Sequence, residues 1–168
     1  NPRGQRDPIT GQPIRTTALC AALLNKHEAV VRLLLDRGAN PNLASSDDVT
    51  PLMAAAGRGF HPTLQLLVEA KADLDAVHPK AGATAFINAC GLNHPDCAVA
   101  LARAGCDTTV RNSNGITGRE VAEQEGNTAV LERLTDLEQD KQPPAGGRTT
   151  SKKDEKAGGA QDASKALG

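Results

Sequence analysis

The chain has no tryptophan and no tyrosine, and Phe60 and Phe86 are its only aromatic residues. A core must then be assembled from Leu, Val and Ala, which favours closely packed short helices over a sandwich or barrel rich in aromatic and β-branched residues. No apolar run approaches the ~20 residues that span a bilayer as a helix. No basic–apolar–small signal pattern opens the chain either, so no membrane role is expected. The four cysteines, Cys20, Cys90, Cys97 and Cys106, contain no C-x-x-C pair, the close spacing by which zinc sites usually declare themselves. Buried, reduced thiols are expected instead, and with them a reducing compartment, cytoplasmic or nuclear. A dominant charge is also lacking, with 19 basic against 20 acidic residues. The charge is unevenly placed: from Lys141 onward there are six basic and three acidic residues, leaving thirteen and seventeen before it. An imbalance this mild predicts no nucleic-acid binding.

What the sequence does have is a repeat. "TALCAALLNKHEAVVRLLLDRGANPN" (17–42) aligns with "TPLMAAAGRGFHPTLQLLVEAKADLD" (50–75), "TAFINACGLNHPDCAVALARAGCDTT" (84–109) and "TGREVAEQEGNTAVLERL" (117–134). The leading threonines, Thr17, Thr50, Thr84 and Thr117, stand 33, 34 and 33 residues apart, and constant phase over four units marks a repeat architecture. Each threonine hydroxyl can cap a short helix, and Pro51 sits at a first helical position that requires no N–H. That helix should stop at Lys26, Gly59, Asn93 or Gly126, a column of residues suited to positive φ. A second helix follows, its apolar stripe visible in Val30, Val31, Leu33, Leu34 and Leu35. It ends at Gly38 or Gly105, before a polar turn such as "SSDDV" or "NSNGI".

On these residues the chain resembles the ankyrin-repeat family, most clearly in Thr50, Pro51, Leu52 and Ala54–Ala56 and in "VVRLLLDRGANPN" (30–42). The resemblance covers roughly 12–140. It implies an all-α solenoid of about four stacked antiparallel helix pairs, with hairpin-like turns projecting at right angles and a concave face lined by turns and first helices. Departures are specific. Cys20, Met53, Ile87 and Glu120 stand where the family usually carries histidine, so that residue's hydrogen bonds should be missing. Lys71 replaces the glycine kept at Gly38 and Gly105, Lys26 departs likewise, and Asp48 replaces the turn glycine kept at Gly82 and Gly115. Ala81 reads as a one-residue insertion, and Asn88 interrupts an apolar helix and would need a partner if buried.

The expected organisation is a lead (1–11), repeats at 12–44, 45–77 and 78–111, a capping repeat at 112–140 and a disordered tail at 141–168. The cap is inferred from Arg119, Glu120, Glu123, Gln124 and Glu125, which give the last unit the polar outer face that terminal repeats need. The tail has one leucine and no aromatic, too little to offset the entropy of ordering. Its "TTSKK" (149–153) offers hydroxyls beside basic residues. "ALCAALL" (18–24) is apolar all round, as if both flanks met neighbours. With Asn1 rather than Met opening the chain, a piece of a longer protein with a frayed first repeat is expected.

The residues that could suggest catalysis fit these columns or lack the frame their chemistry needs. Gly57-Arg58-Gly59 lacks the G-x-x-x-x-G-K-[ST] frame and ends a helix where a phosphate cradle must begin one. Pro62 also occupies the last glycine position of a G-x-G-x-x-G pattern. Ser45, Ser46, Asp47 and Asp48 read as an exposed turn. His27 and His94 share a column with Phe60 and Asn127, and Cys97 and Cys106 fall where sister repeats carry Thr63 or Val30 and Ala39 or Ala72. A column position accounts for each without metal or catalysis, so no enzyme activity, cofactor or metal is expected. What the resemblance implies is a protein-interaction module, monomeric, that binds another protein; the competing reading is a regulatory or targeting arm of a larger enzyme with its catalytic domain upstream. The expected contact residues are Ser46, Asp47, Asp48 and Arg58 in the second unit, His78, Lys80 and Leu92 in the third, and Arg111, Asn112, Ser113 and Asn114 in the cap. At Gly57 a missing side chain should let a partner approach.

Overall fold

Four threonines set the phase of the structure, a computed structural model that describes residues 17–141. Thr17, Thr50, Thr84 and Thr117 each hold an extended backbone. Each accepts, on its hydroxyl, the N–H three residues on, from Cys20 (3.1 Å), Met53 (3.2 Å), Ile87 (3.3 Å) and Glu120 (3.3 Å). This satisfies one of the unpaired donors at each helix start. The helices so begun are α1 (Ala18–Leu24), α3 (Pro51–Gly57), α5 (Ala85–Gly91) and α7 (Gly118–Gln124), all seven residues long. Their partners are α2 (Glu28–Asp36), α4 (His61–Glu69), α6 (Pro95–Ala104) and α8 (Thr128–Lys141). Among the described residues the elements are helical except for one antiparallel bridge between Arg111 and Thr117.

Helices this short are marginal alone, so packing must hold them. Each first helix packs on its own second helix, and two layers run along the array: α1, α3, α5 and α7 in one, α2, α4, α6 and α8 in the other. The core between them is built from Leu23, Leu52, Leu64, Leu67, Leu101, Val31 and Val130, all essentially inaccessible to solvent. Buried Ala55, Ala56, Ala89, Ala98 and Ala122 keep the helices close. With almost no aromatics available, near approach replaces bulk as the source of dispersion contact.

The stop between paired helices is left-handed in every unit: Lys26 (φ 58°), Gly59 (φ 68°), Asn93 (φ 57°) and Gly126 (φ 71°). From the second repeat on, the residue that opens the second helix reaches back to the preceding repeat, to its stop in the case of Phe60 and His94. The Phe60 ring lies 5.2 Å from the Lys26 ammonium, a cation–π contact beside the strained lysine. Asn127 donates from Nδ2 to the carbonyls of Cys90 (2.8 Å) and Gly91 (3.0 Å). The imidazole of His94 fills the space a Cβ on Gly59 would need. The departures at Lys71 (φ 62°) and Asp48 (φ 62°) also keep the backbone of the glycines they replace. A left-handed lysine is strained by about 1–2 kcal/mol. Lys71→Gly should therefore stabilise the protein by about 1 kcal/mol, net of glycine's larger unfolded-state entropy, measured as a raised urea midpoint at unchanged slope.

The loops between repeats are tied in the same serial manner. Asp73 N–H donates to Asn42 Oδ1 and Asp107 N–H to Asp75 Oδ1, both at 2.7 Å. The two ends of the array differ. On α2, Val30 is 44% exposed, whereas the equivalent Thr63, Cys97 and Val130 are all buried; Leu33 is 52% exposed, whereas Leu66 in the next repeat is buried and Ala100 half-buried. At the other end Arg119 pairs with Glu138 (2.9 Å) and Glu123 (3.7 Å), and Arg133 pairs with Asp96 (3.1 Å). Helix α8 takes in Lys141. The lead at 1–11, the start of the first repeat before Thr17 and the tail from 142 lie outside the described residues.

Candidate partner-binding face

Two rows of residues run along the array on the first-helix side. The first consists of the residues that follow α1, α3, α5 and α7: Asn25, Arg58, Leu92 and Glu125. All four take the same backbone conformation (φ −93°, −109°, −99° and −82°, with ψ within 14° of zero), and all are exposed. Leu92, at 58%, is the most exposed of the large apolar side chains among the described residues.

The second row is the turn tips. Asp48 N–H closes its tip on the carbonyl of Ser45 (3.0 Å), and the Ser45 hydroxyl donates to the Asp47 carboxylate and to Val49 O (3.0 Å). His78 joins this tip to the next. Its Nδ1 accepts the N–H groups of Lys80 (3.3 Å) and Ala81 (3.1 Å). The ring proton therefore sits on Nε2, which donates to Asp47 O (3.0 Å). The inserted Ala81 then accepts the N–H of Ser113 (3.0 Å) from the following tip. Three tips separated by about thirty residues in sequence thus form one hydrogen-bonded ridge, which pre-organises the face and reduces the ordering cost of binding.

The expected contact residues divide by what their side chains do. Ser46, Asp47, Asp48, Arg58, Lys80, Leu92, Ser113 and Asn114 are exposed. His78, Arg111 and Asn112 are engaged within the ridge. Arg111 donates from Nη1 to Gly115 O (2.6 Å) and Glu120 Oε2 (3.1 Å). Asn112 Oδ1 accepts from Asn114 N (2.9 Å) and Ile116 N (3.2 Å).

Two sequence expectations are corrected here. Gly57 does not open the face to a partner. A Cβ there would touch Leu92 Cδ1 at 3.5 Å and Asn88 Cβ at 3.9 Å, so Gly57 is the seat on which the next repeat's leucine leans. Nor is the histidine column wholly without its hydrogen bond. Glu120 Oε2 accepts the Thr117 N–H at 2.6 Å, completing a capping box. That bond, the Thr117 hydroxyl and the Arg111 guanidinium hold the Glu120 carboxyl below the usual range. Asn88, expected to need a partner if buried, is only half-buried.

All four cysteines are buried. Burial pushes the Cys90 thiol up to about 12 and Cys97 to about 11, with the nearby Cys106 and Asp96 adding to it. Both values exceed the ~8.5 of an exposed thiol, so folding favours the neutral form. This contribution is complete below the unfolded value and is lost as pH rises through 11 to 12. At pH 8, Cys90 and Cys97 should resist iodoacetamide in the native protein and be alkylated in urea, read by peptide mass spectrometry. Among the described residues no three His, Cys, Asp or Glu side chains cluster as a metal site, and no helix is long and apolar enough to cross a membrane.

Stacked helix pairs with projecting turns define a repeat solenoid, and comparison with known proteins gives its family. The family model described as "Ankyrin repeats (3 copies)" matches residues 18–112. The chain belongs to the ankyrin-repeat family. It is similar to mouse "Ankyrin repeat and SAM domain-containing protein 6", 34% identical over 111 residues, which is 66% of this chain and 13% of that protein. Human "Ankyrin repeat and KH domain-containing protein 1" is 36% identical over 61% of this chain and 4% of its own length. "Putative ankyrin repeat protein YahD" of Escherichia coli is 44% identical over 34% of this chain and 30% of its own. The chain thus spans only a small part of these relatives. Ankyrin repeats are in general protein–protein interaction modules without catalysis of their own.

Proposed function

We propose that this chain recognises a partner protein through its turn tips and the ends of its first helices, and carries out no chemistry itself. The observation that supports this most is the aligned row Asn25–Arg58–Leu92–Glu125 beside a ridge of hydrogen-bonded tips. Such a face is rigid before binding, yet its side chains differ from repeat to repeat. Direct contact falls to Ser46, Asp47, Asp48, Arg58, Lys80, Leu92, Ser113 and Asn114, while His78, Arg111 and Asn112 hold the tips in shape. No nucleic acid or membrane is needed as a ligand, and the protein acts as a monomer in a reducing compartment, cytoplasmic or nuclear.

Combined charge reversal at Asp47, Asp48 and Arg58 should weaken a captured partner about tenfold, because exposed charges contribute modestly and chiefly to association rate. The thermal transition should fall slightly, because the Asp47 reversal removes the acceptor of the Ser45 hydroxyl and the Asp48 reversal sets a basic residue at positive φ. The Arg58 reversal alone should leave it in place and still weaken the partner. Partners bound equally by wild type and variant, compared by quantitative pull-down, would defeat the assignment. A second reading, a regulatory or targeting arm of a larger protein, is favoured by the relatives' names, which join ankyrin repeats to SAM and KH domains.

A further inference from the structure

The row beyond the first helices has an order that the family assignment does not supply. Arg58 and Glu125 stand one repeat to either side of Leu92, in the same backbone conformation and on the same side of the array. Neither charge has an ion pair among the described residues. The three charged residues of α7 itself are paired, Arg119 with Glu123 and with Glu138 of α8, and Glu120 with Arg111. Leu92 leans on Gly57, and Val121 approaches Gly91 closely enough that a Cβ there would lie 3.1 Å from its Cγ1. Between the two charges there are thus one projecting leucine and the half-buried Gly57, Asn88, Gly91 and Val121, with a cation on one side and a carboxylate on the other.

Packed helices stand about 8–10 Å apart, and a chain in the polyproline II conformation advances about 3.1 Å per residue with three residues per turn, so side chains three apart share one face about 9 Å from each other. One repeat therefore matches three residues of a polyproline II segment crossing the array. We propose that the partner presents such a segment, with an apolar residue on Leu92, an acidic residue three positions to one side facing Arg58, and a basic residue three positions to the other side facing Glu125. This rests on the partner-binding reading above and names the chemistry that face selects. The opposite charges also fix direction: a segment entering the wrong way round sets like charges against each other, which discriminates against it.

The test uses the 168-residue chain and two fluorescein-labelled fifteen-residue peptides, identical except that one centres on D-x-x-L-x-x-K and the other on K-x-x-L-x-x-D, with x drawn from Ser and Ala. By anisotropy at low salt, one peptide should bind about threefold to tenfold more tightly than the other. Like-charge versions of both should be weaker, and Leu92→Asp should abolish binding. The double variant Arg58→Glu with Glu125→Arg should reverse the preference between the two peptides. All three positions are exposed, so unchanged thermal transitions verify folding. If binding is lost with Leu92→Asp but the double variant does not reverse the preference, the register is overturned while the face remains the binding site. If neither peptide binds wild type with a Kd of about 1 mM or tighter, the proposed segment is wrong. The partner-binding reading is then decided separately by the turn-tip charge reversal.

Discussion

Gly82→Ala should destabilise the protein by about 2–3 kcal/mol, measured by urea denaturation, although it adds a single methyl group at an exposed turn. Two causes add. Gly82 holds φ +63°, a conformation that strains an L-residue by about 1–2 kcal/mol. The new Cβ would also lie 2.5 Å from Ser113 N and 2.9 Å from Asn112 C. These are backbone atoms that no rotamer change can clear. The next tip must move away, breaking the Ser113 N–H to Ala81 O bond at a further cost of about 0.5–1.5 kcal/mol. Gly115→Ala is the control, with a similar φ of +77° and nothing within 4 Å of its Cβ. It should show the backbone strain alone. Equal losses for the two variants would mean that the tips do not brace one another.

Most of the architecture was legible in the sequence because a repeat shows its own structure four times. The threonine spacing gave the caps, and the column Lys26–Gly59–Asn93–Gly126 gave the left-handed stops even where the residue was a lysine. What stayed hidden lay between units. Gly57 alone reads as open space, because nothing local shows that Leu92, thirty-five residues on, leans against it. His78 reads as an exposed tip residue, yet its ring holds its own turn and reaches Asp47 O of the previous tip. Among the expected contacts, the sequence could place residues on a tip or at a helix end. It could not tell a side chain facing solvent, such as Lys80, from one tied to its neighbours, such as Arg111. The Glu120 bond, by contrast, is written in the sequence: Thr117-x-x-Glu120 has the spacing of a capping box.

A second coupling between repeats should appear at Gly118. Its column holds Ala18, Pro51 and Ala85 in the other units, so a side chain is ordinarily accommodated at this first helical position. Here a Cβ would lie 2.8 Å from both Cδ1 and Cε1 of Phe86 and 3.3 Å from Cys90 Sγ. Phe86 is buried and stands where earlier repeats have Leu19 and Leu52. The ring of one repeat thus fills the volume that the next repeat vacates, and one of the chain's two aromatics depends on a glycine thirty-two residues away. Gly118→Ala should therefore cost about 1–3 kcal/mol through overpacking, outweighing the roughly 0.5–1 kcal/mol that alanine ordinarily gains over glycine in a helix. Phe86→Leu should cost about 1–2 kcal/mol from lost buried area. In the background of Phe86→Leu, however, Gly118→Ala should be neutral or stabilising, since the smaller side chain leaves room for the methyl group. A double-mutant cycle by urea denaturation should then give a favourable coupling of about 1–3 kcal/mol. Simple additivity would show that Phe86 can move aside, and that the small residue at Gly118 is not its counterpart.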